Sequence, residues 1–131
     1  MNVLIVVPEK VPREAEIGDD LHSMQEIVGG TIEAVYPYQD PVALVCNDEG
    51  KLDGLPLNRS IEDYDVIAGT FFICGLSEDN FAPLSPELMA KYKDKFYSPE
   101  LFFQAGGQIH SVKAHPPKKP HPKKKEEIGR E

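Results

Sequence analysis

Residues 64–74 read Tyr-Asp-Val-Ile-Ala-Gly-Thr-Phe-Phe-Ile-Cys, the most strand-like stretch of the chain. β-branched and aromatic side chains dominate it, as on a pleated, packed surface. Gly69 in its middle predicts a bulge, or a point where another backbone or a ligand comes close. Comparable apolar density recurs at Val3-Leu4-Ile5-Val6-Val7, closed by Pro8, so residues 2–8 form a buried strand. No apolar run approaches the roughly 20 residues that a membrane span requires. Met1-Asn2 leads straight into the strand without the basic start of a secretory signal.

Between these runs the signals alternate. Residues 9–20 are polar and contain Pro12 and Gly18, a loop. Asp19 or Asp20 can cap a helix starting near Leu21, whose Leu21, Met24, Ile27 and Val28 make one apolar stripe. Gly29-Gly30 ends it. In residues 31–38, Ile32, Ala34 and Tyr36 share one face, and Thr31, Glu33 and Val35 the other, a period of two. A turn at residues 38–41 leads to a strand over 42–46, making an antiparallel hairpin. Residues 51–60, with Gly54, Pro56 and Asn58, read as mostly loop or a short edge segment, and residues 76–83 as loop. Ser85-Pro86-Glu87 starts a second helix with a side-chain cap, proline in the first turn and an acid at the positive end. Residues 99–104 read as one further helical turn. The expected fold class is α+β: about four strands in a mostly antiparallel sheet with two short helices on it.

The charge divides the chain. The formal net charge is −8, but residues 1–105 hold 7 basic and 19 acidic residues, a net of −12. Residues 106–131 hold 7 basic and 3 acidic residues, a net of +4, with four prolines and three histidines. Such a segment has too little apolar area to offset its ordering entropy. The sequence predicts a compact acidic domain over 1–105 and a disordered Pro/Lys/His-rich tail over 106–131, hinged at Gly106-Gly107. Lys118, Lys119, Lys123, Lys124 and Lys125 make the tail a candidate for weak nucleic-acid contact. Its other readings are a solubilising tail or one that folds onto the acidic body.

Catalytic signatures are absent from the sequence. Cys46 and Cys74 read as reduced core thiols, and His22, the one histidine before residue 106, cannot assemble a zinc set. Cys46, His22 and Glu33 are the residues worth testing for catalysis, and no metal or cofactor is expected. Arg59, the only base between Lys51 and Lys91, stands in the Leu55-Pro56-Leu57-Asn58-Arg59 segment. Its guanidinium either holds a phosphate or carboxylate in a fork or pairs with Glu33, Asp63 or Asp65.

Four blocks carry a resemblance: Met24-Gln25-Glu26-Ile27-Val28-Gly29-Gly30-Thr31-Ile32-Glu33, Val45-Cys46-Asn47-Asp48-Glu49-Gly50-Lys51, Gly54-Leu55-Pro56-Leu57-Asn58-Arg59 and Ile67-Ala68-Gly69-Thr70-Phe71-Phe72-Ile73. Over residues 1–103 or so they resemble a small domain-of-unknown-function family of phages, plasmids and conjugative elements of low-GC Gram-positive bacteria. The resemblance implies a cytoplasmic accessory protein of a mobile element and no particular activity. It directs attention to Gln25, Glu26, Glu33, Asn47, Asn58 and Arg59, to which Tyr36 and Gly69 are added as ligand-binding candidates. The expected function is a non-enzymatic binder that counteracts host defence, either by sequestering a nucleotide-like signal or by blocking a defence protein. The first version predicts a concave site around Asn58 and Arg59 with stacking aromatics, the second an exposed apolar patch. An alternative is a nucleic-acid role, through an acidic DNA-mimic body or the basic tail. A homodimer is also open.

Overall fold

The computed structural model describes residues 1–62, 64–78 and 80–114. Its elements run β1 (Asn2–Val6), β2 (Arg13–Glu16), α1 (Leu21–Val28), β3 (Ile32–Val35), β4 (Val42–Asn47), β5 (Leu57–Ile61), β6 (Asp65–Ala68), β7 (Phe71–Ser77), β8 (Asn80–Ala82), α2 (Pro86–Lys95), β9 (Glu100–Ala105) and β10 (Gln108–Lys113). The main sheet has the order β2-β1-β7-β4-β3, with β8 sharing the β1 side of β7. Every pairing is antiparallel. The α+β class holds, but the sheet has six strands rather than four, and two hairpins, β5–β6 and β9–β10, form separate two-stranded sheets.

The main sheet is covered on both faces, which explains its unbroken apolar strands. Val3, Ile5, Ala43, Val45, Phe72 and Cys74 point to the face closed by Met24 and Val28 of α1. Leu4, Val6, Val42, Leu44, Phe71 and Ile73 point to the other, closed by Met89, Tyr92 and Phe96 of α2 or its cap and by Ile61 and Ile67 of the β5–β6 hairpin. The helix signals act as read. The Asp20 side chain accepts from the Ser23 amide at 3.1 Å, and Gly29 closes α1 in the left-handed region at φ 79°. The Ser85 hydroxyl accepts from the Leu88 amide at 3.3 Å, with Pro86 opening α2. The β3–β4 hairpin is present, pairing Ile32 with Asn47 through Val35 with Leu44.

Elsewhere the structure corrects the sequence reading. Residues 64–74 are not one strand with a bulge. Gly69 sits at φ 83°, its amide donates to the Pro56 carbonyl, and the chain turns there from β6 into β7 of the main sheet. An added Cβ at Gly69 would meet Leu55 Cδ1 at 2.7 Å, so the close approach is that of the chain's own Leu55. Of residues 51–60, read as mostly loop or a short edge segment, the end belongs to the short strand β5 (Leu57–Ile61), with a register break between Leu57 and Arg59 that leaves Asn58 without a partner in β6. The two short strands β2 and β8 lie within segments read as loops. Residues 99–104 are extended rather than helical, being mostly β9. Gly106-Gly107 is not a hinge to a tail. Both glycines have positive φ, 62° and 79°, and form the tight turn of the β9–β10 hairpin. Residues 115–131, with the five tail lysines Lys118 to Lys125, lie outside the described residues.

Candidate functional site

The corner of β5 holds the residues on which the sequence reading centred, and it is a fastening. Asn58 is fully buried, and its Nδ2 donates to Val6 O and to Gly69 O, both at 2.9 Å. Those bonds tie the end of β1 and the β6–β7 turn to β5. Arg59 is 1% exposed and makes five hydrogen bonds to carbonyl oxygens. Its Nε and Nη2 donate to Phe96 O at 3.3 and 2.9 Å, its Nη2 also to Lys10 O at 2.7 Å, and its Nη1 to Asn58 O and Oδ1 at 3.3 and 2.8 Å. A guanidinium has five N–H groups, and all are engaged. The cation thereby sits at the carboxyl end of α2, where the helix dipole favours positive charge. Burial lowers its pKa, and the field of Glu100 opposes that shift. The donors that the expected phosphate or carboxylate fork at Asn58 and Arg59 would use are turned inward, onto backbone carbonyls and the Asn58 Oδ1. The expected ion pairs of Arg59 with Glu33 or Asp65 are not formed, and Asp63 lies outside the described residues.

The other candidates disperse. Gln25 and Glu26 are on α1: the Gln25 carbonyl accepts from the Gly29 and Gly30 amides, and exposed Glu26 pairs with His22 at 3.4 Å. Asn47 Nδ2 donates to Val28 O at 3.2 Å and its Oδ1 accepts from the Glu49 amide at 2.8 Å, joining the end of α1 to the turn after β4. Glu33 and Asn47 line a small cleft of about 150 Å³ with Cys46, Asp48, Lys51 and Tyr64. Tyr36 is exposed beyond the end of β3. Asn58, Arg59 and Gly69 come together in one corner, Glu33 and Asn47 in the cleft, and the eight do not converge on one site.

The cleft is electronegative. Burial, then the Glu33 and Asp48 carboxylates, pushes the Cys46 thiol up to about 11, and burial pushes Cys74 up to about 12. Burial, then Glu33, also raises the Tyr64 hydroxyl. Neither thiol is prepared as a nucleophile, and His22 does not line the cleft that Cys46 lines. Among the described residues no three His, Cys, Asp or Glu side chains are placed to hold a metal ion.

A different feature emerges at β9 and β10. In this hairpin Leu101 is opposite Val112, and Phe103 opposite His110. These four side chains share one face. Leu101, Phe103 and Val112 are 44%, 48% and 52% exposed, and the His110 ring stacks on Phe103 at 5.6 Å between centroids. On the other face Phe102 and Ile109 border an apolar groove of about 440 Å³ shared with Leu55, Leu57 and Val66 of the β5–β6 hairpin. The Glu100 carboxylate holds the ribbon to the domain by accepting from Ser60 N at 3.1 Å and Ser60 Oγ at 2.8 Å. The sequence carried the signal for this hairpin: two six-residue runs about a Gly-Gly pair. The surplus of lysine and proline farther on masked it.

No helix among the described residues is long and apolar enough to cross a membrane. No curated protein and no solved structure matches the chain. One family model, described as a domain of unknown function, matches residues 1–97, from β1 through the end of α2 and short of the ribbon. The match spans well over half of the chain and contains the buried Asn58–Arg59 corner, and the protein belongs to the family of domains of unknown function DUF3846.

Proposed function

We propose that this protein is a non-enzymatic binding module that docks another protein through the outward face of the β9–β10 ribbon. The observation that carries the reading is the apolar strip of Leu101, Phe103 and Val112, about half exposed on a two-stranded element that nothing else in the described residues covers. Exposed apolar strips of this kind mark interaction surfaces. The binder has the context of an accessory protein of a phage or mobile element that blocks a defence protein in the cytoplasm. The four blocks that carry the resemblance to mobile-element proteins all lie within the family-matched region. Its two cysteines are free and buried, in keeping with a reducing compartment. Sequestration of a nucleotide-like signal has less support, because the Arg59 donors are engaged and the cleft at Glu33 would repel a phosphate.

The test is crosslinking in cells that carry the system, comparing the full chain with a Leu101→Glu, Phe103→Glu variant. The variant should keep its melting temperature and lose the crosslinked partner at least about tenfold, since charges would enter the face that must be desolvated. Equal crosslinking by both, or a rise in melting temperature with a nucleotide ligand, would overturn the reading.

A further inference from the structure

Among the described residues the ribbon leaves a complete strand edge unpaired, and its chemistry specifies what would fill it. With a two-residue Gly106-Gly107 turn, Ala105 and Gln108 form the first hydrogen-bonded pair of the ladder, followed by Phe103 with His110 and Leu101 with Val112. The N–H and C=O groups of Ile109, Ser111 and Lys113 therefore point away from β9. Within the described residues β10 pairs with β9 alone, and all six of its residues are exposed. Natural edges are commonly blunted by proline, bulges, inward charges or short length. This edge is six residues long, free of proline and regularly paired, with its one lysine at the last position.

Charge decides between occupants. The ribbon carries Glu100 and Lys113, so it is nearly neutral, but residues 1–105 have a net charge of −12. Four lysines of that region, Lys51, Lys91, Lys93 and Lys95, are each held by a carboxylate. A second copy, with its own basic residues beyond 105 counted, still brings a net charge of −8 against the first, whereas a segment of net positive charge would be drawn to it. We infer that the free edge of β10 accepts an extended, lysine- or arginine-rich segment of another protein as an added antiparallel strand. Alternate side chains of that strand would continue the Leu101–Phe103–Val112 face, with the others falling on the side of Ile109. This deepens the proposed docking function and rests on it.

The probe is a ten-residue peptide of alternating Lys and Val with blocked ends, added to the ¹⁵N-labelled full chain. Amide exchange at Ile109, Ser111 and Lys113 should slow at least about tenfold, while His110 and Val112, already bonded to β9, change little. Binding should weaken as salt rises. An alternating Glu and Val peptide should not protect these amides. A Lys and Val peptide N-methylated at every second residue should bind at least about tenfold more weakly, which tests the edge without altering the protein. Ser111→Pro, which removes one outward donor, should do the same. Perturbation of Leu101, Phe103 and Val112 without protection at the edge would overturn the added strand but leave the docking face standing. Equal protection by the Glu and Val peptide would overturn the charge selection. So would protection that grows with protein concentration and salt in the absence of peptide, in favour of a second copy. Protection by an oligodeoxythymidine in place of the peptide would overturn the protein partner. If no Lys and Val peptide binds, the inference fails, and the crosslinking comparison of the Leu101→Glu, Phe103→Glu variant decides separately whether the face binds protein.

Discussion

Replacing Arg59 by methionine separates a fastening from a ligand site. Methionine fills much of the same volume but withdraws all five donors from Phe96 O, Lys10 O, Asn58 O and Asn58 Oδ1. Each buried acceptor left without a donor costs about 1–3 kcal/mol. The costs do not add fully, and removing a buried cation with no carboxylate in its hydrogen-bonding shell returns part of the loss. A net destabilisation of about 3–5 kcal/mol follows, comparable to breaking a buried ion pair. For a chain of this size that lowers the melting temperature by about 10–20 °C. Arg59→Lys keeps the charge, but its three donors radiate from one nitrogen, and it should recover less than half of the loss. Urea unfolding and a thermal melt, each followed by far-ultraviolet circular dichroism, give the free energy and the melting temperature. A Arg59→Met variant that melts within about 3 °C of the parent would refute the argument and return Arg59 to the ligand-binding candidates.

Three further outcomes follow from the same structure. Asp40, Glu62 and Asp65 have carboxyls held below the ordinary range, first by hydrogen bonds from Lys91, Lys95 and Lys51; stability from a depressed pKa is present above the unfolded value and lost as pH falls through the folded one, so the melting temperature should hold above about pH 5 and fall below about pH 4, less steeply in Lys91→Met, Lys95→Met. Cys46 and Cys74 are buried with raised thiol pKa values, so iodoacetamide at pH 8 should label the native chain about a hundredfold more slowly than the chain in urea, as read by mass spectrometry. Glu100→Ala leaves the Ser60 amide and hydroxyl without their acceptor, so exchange of the β10 amides should quicken several-fold while those of Leu44 and Ile73 stay unchanged; a uniform change would mean that ribbon and core open together.

Local signals made part of the fold legible. The caps at Asp20, Gly29 and Ser85 act within three or four residues of themselves, and the β3–β4 hairpin is joined by a short turn, so neighbouring residues suffice to predict them. β5 was not legible because what makes it a strand is distant. Arg59 meets carbonyls 37 and 49 residues away, and Asn58 meets one 52 residues away. Read locally, Gly54, Pro56 and Asn58 describe a loop or at most a short edge segment. The Gly69 turn was half legible. Its position was marked, but whether glycine serves a bulge or a corner depends on φ and on Leu55 packing against it. Residues 99–104 failed through length, since a short apolar run fits a helical turn or a strand until its partner is known.

The same contrast bears on the candidate site. Polar residues in a recurring block invite a functional reading, yet Asn47, Asn58 and Arg59 are buried and bond to backbone. Their polarity serves to join elements that the chain order separates: α1 to the turn after β4, β1 to β5, and the end of α2 to β5 and the loop after β1. A small three-layer domain with short strands needs such joints, because its loops bring carbonyls into the interior that no ladder can satisfy. What those joints leave over is the ribbon beyond residue 97. It is anchored to the domain by the Glu100 carboxylate at Ser60, while among the described residues its apolar face is half exposed and its outer edge unpaired. On the proposed reading, that face and edge would receive the partner, and the acidic domain beneath would bias which partner arrives.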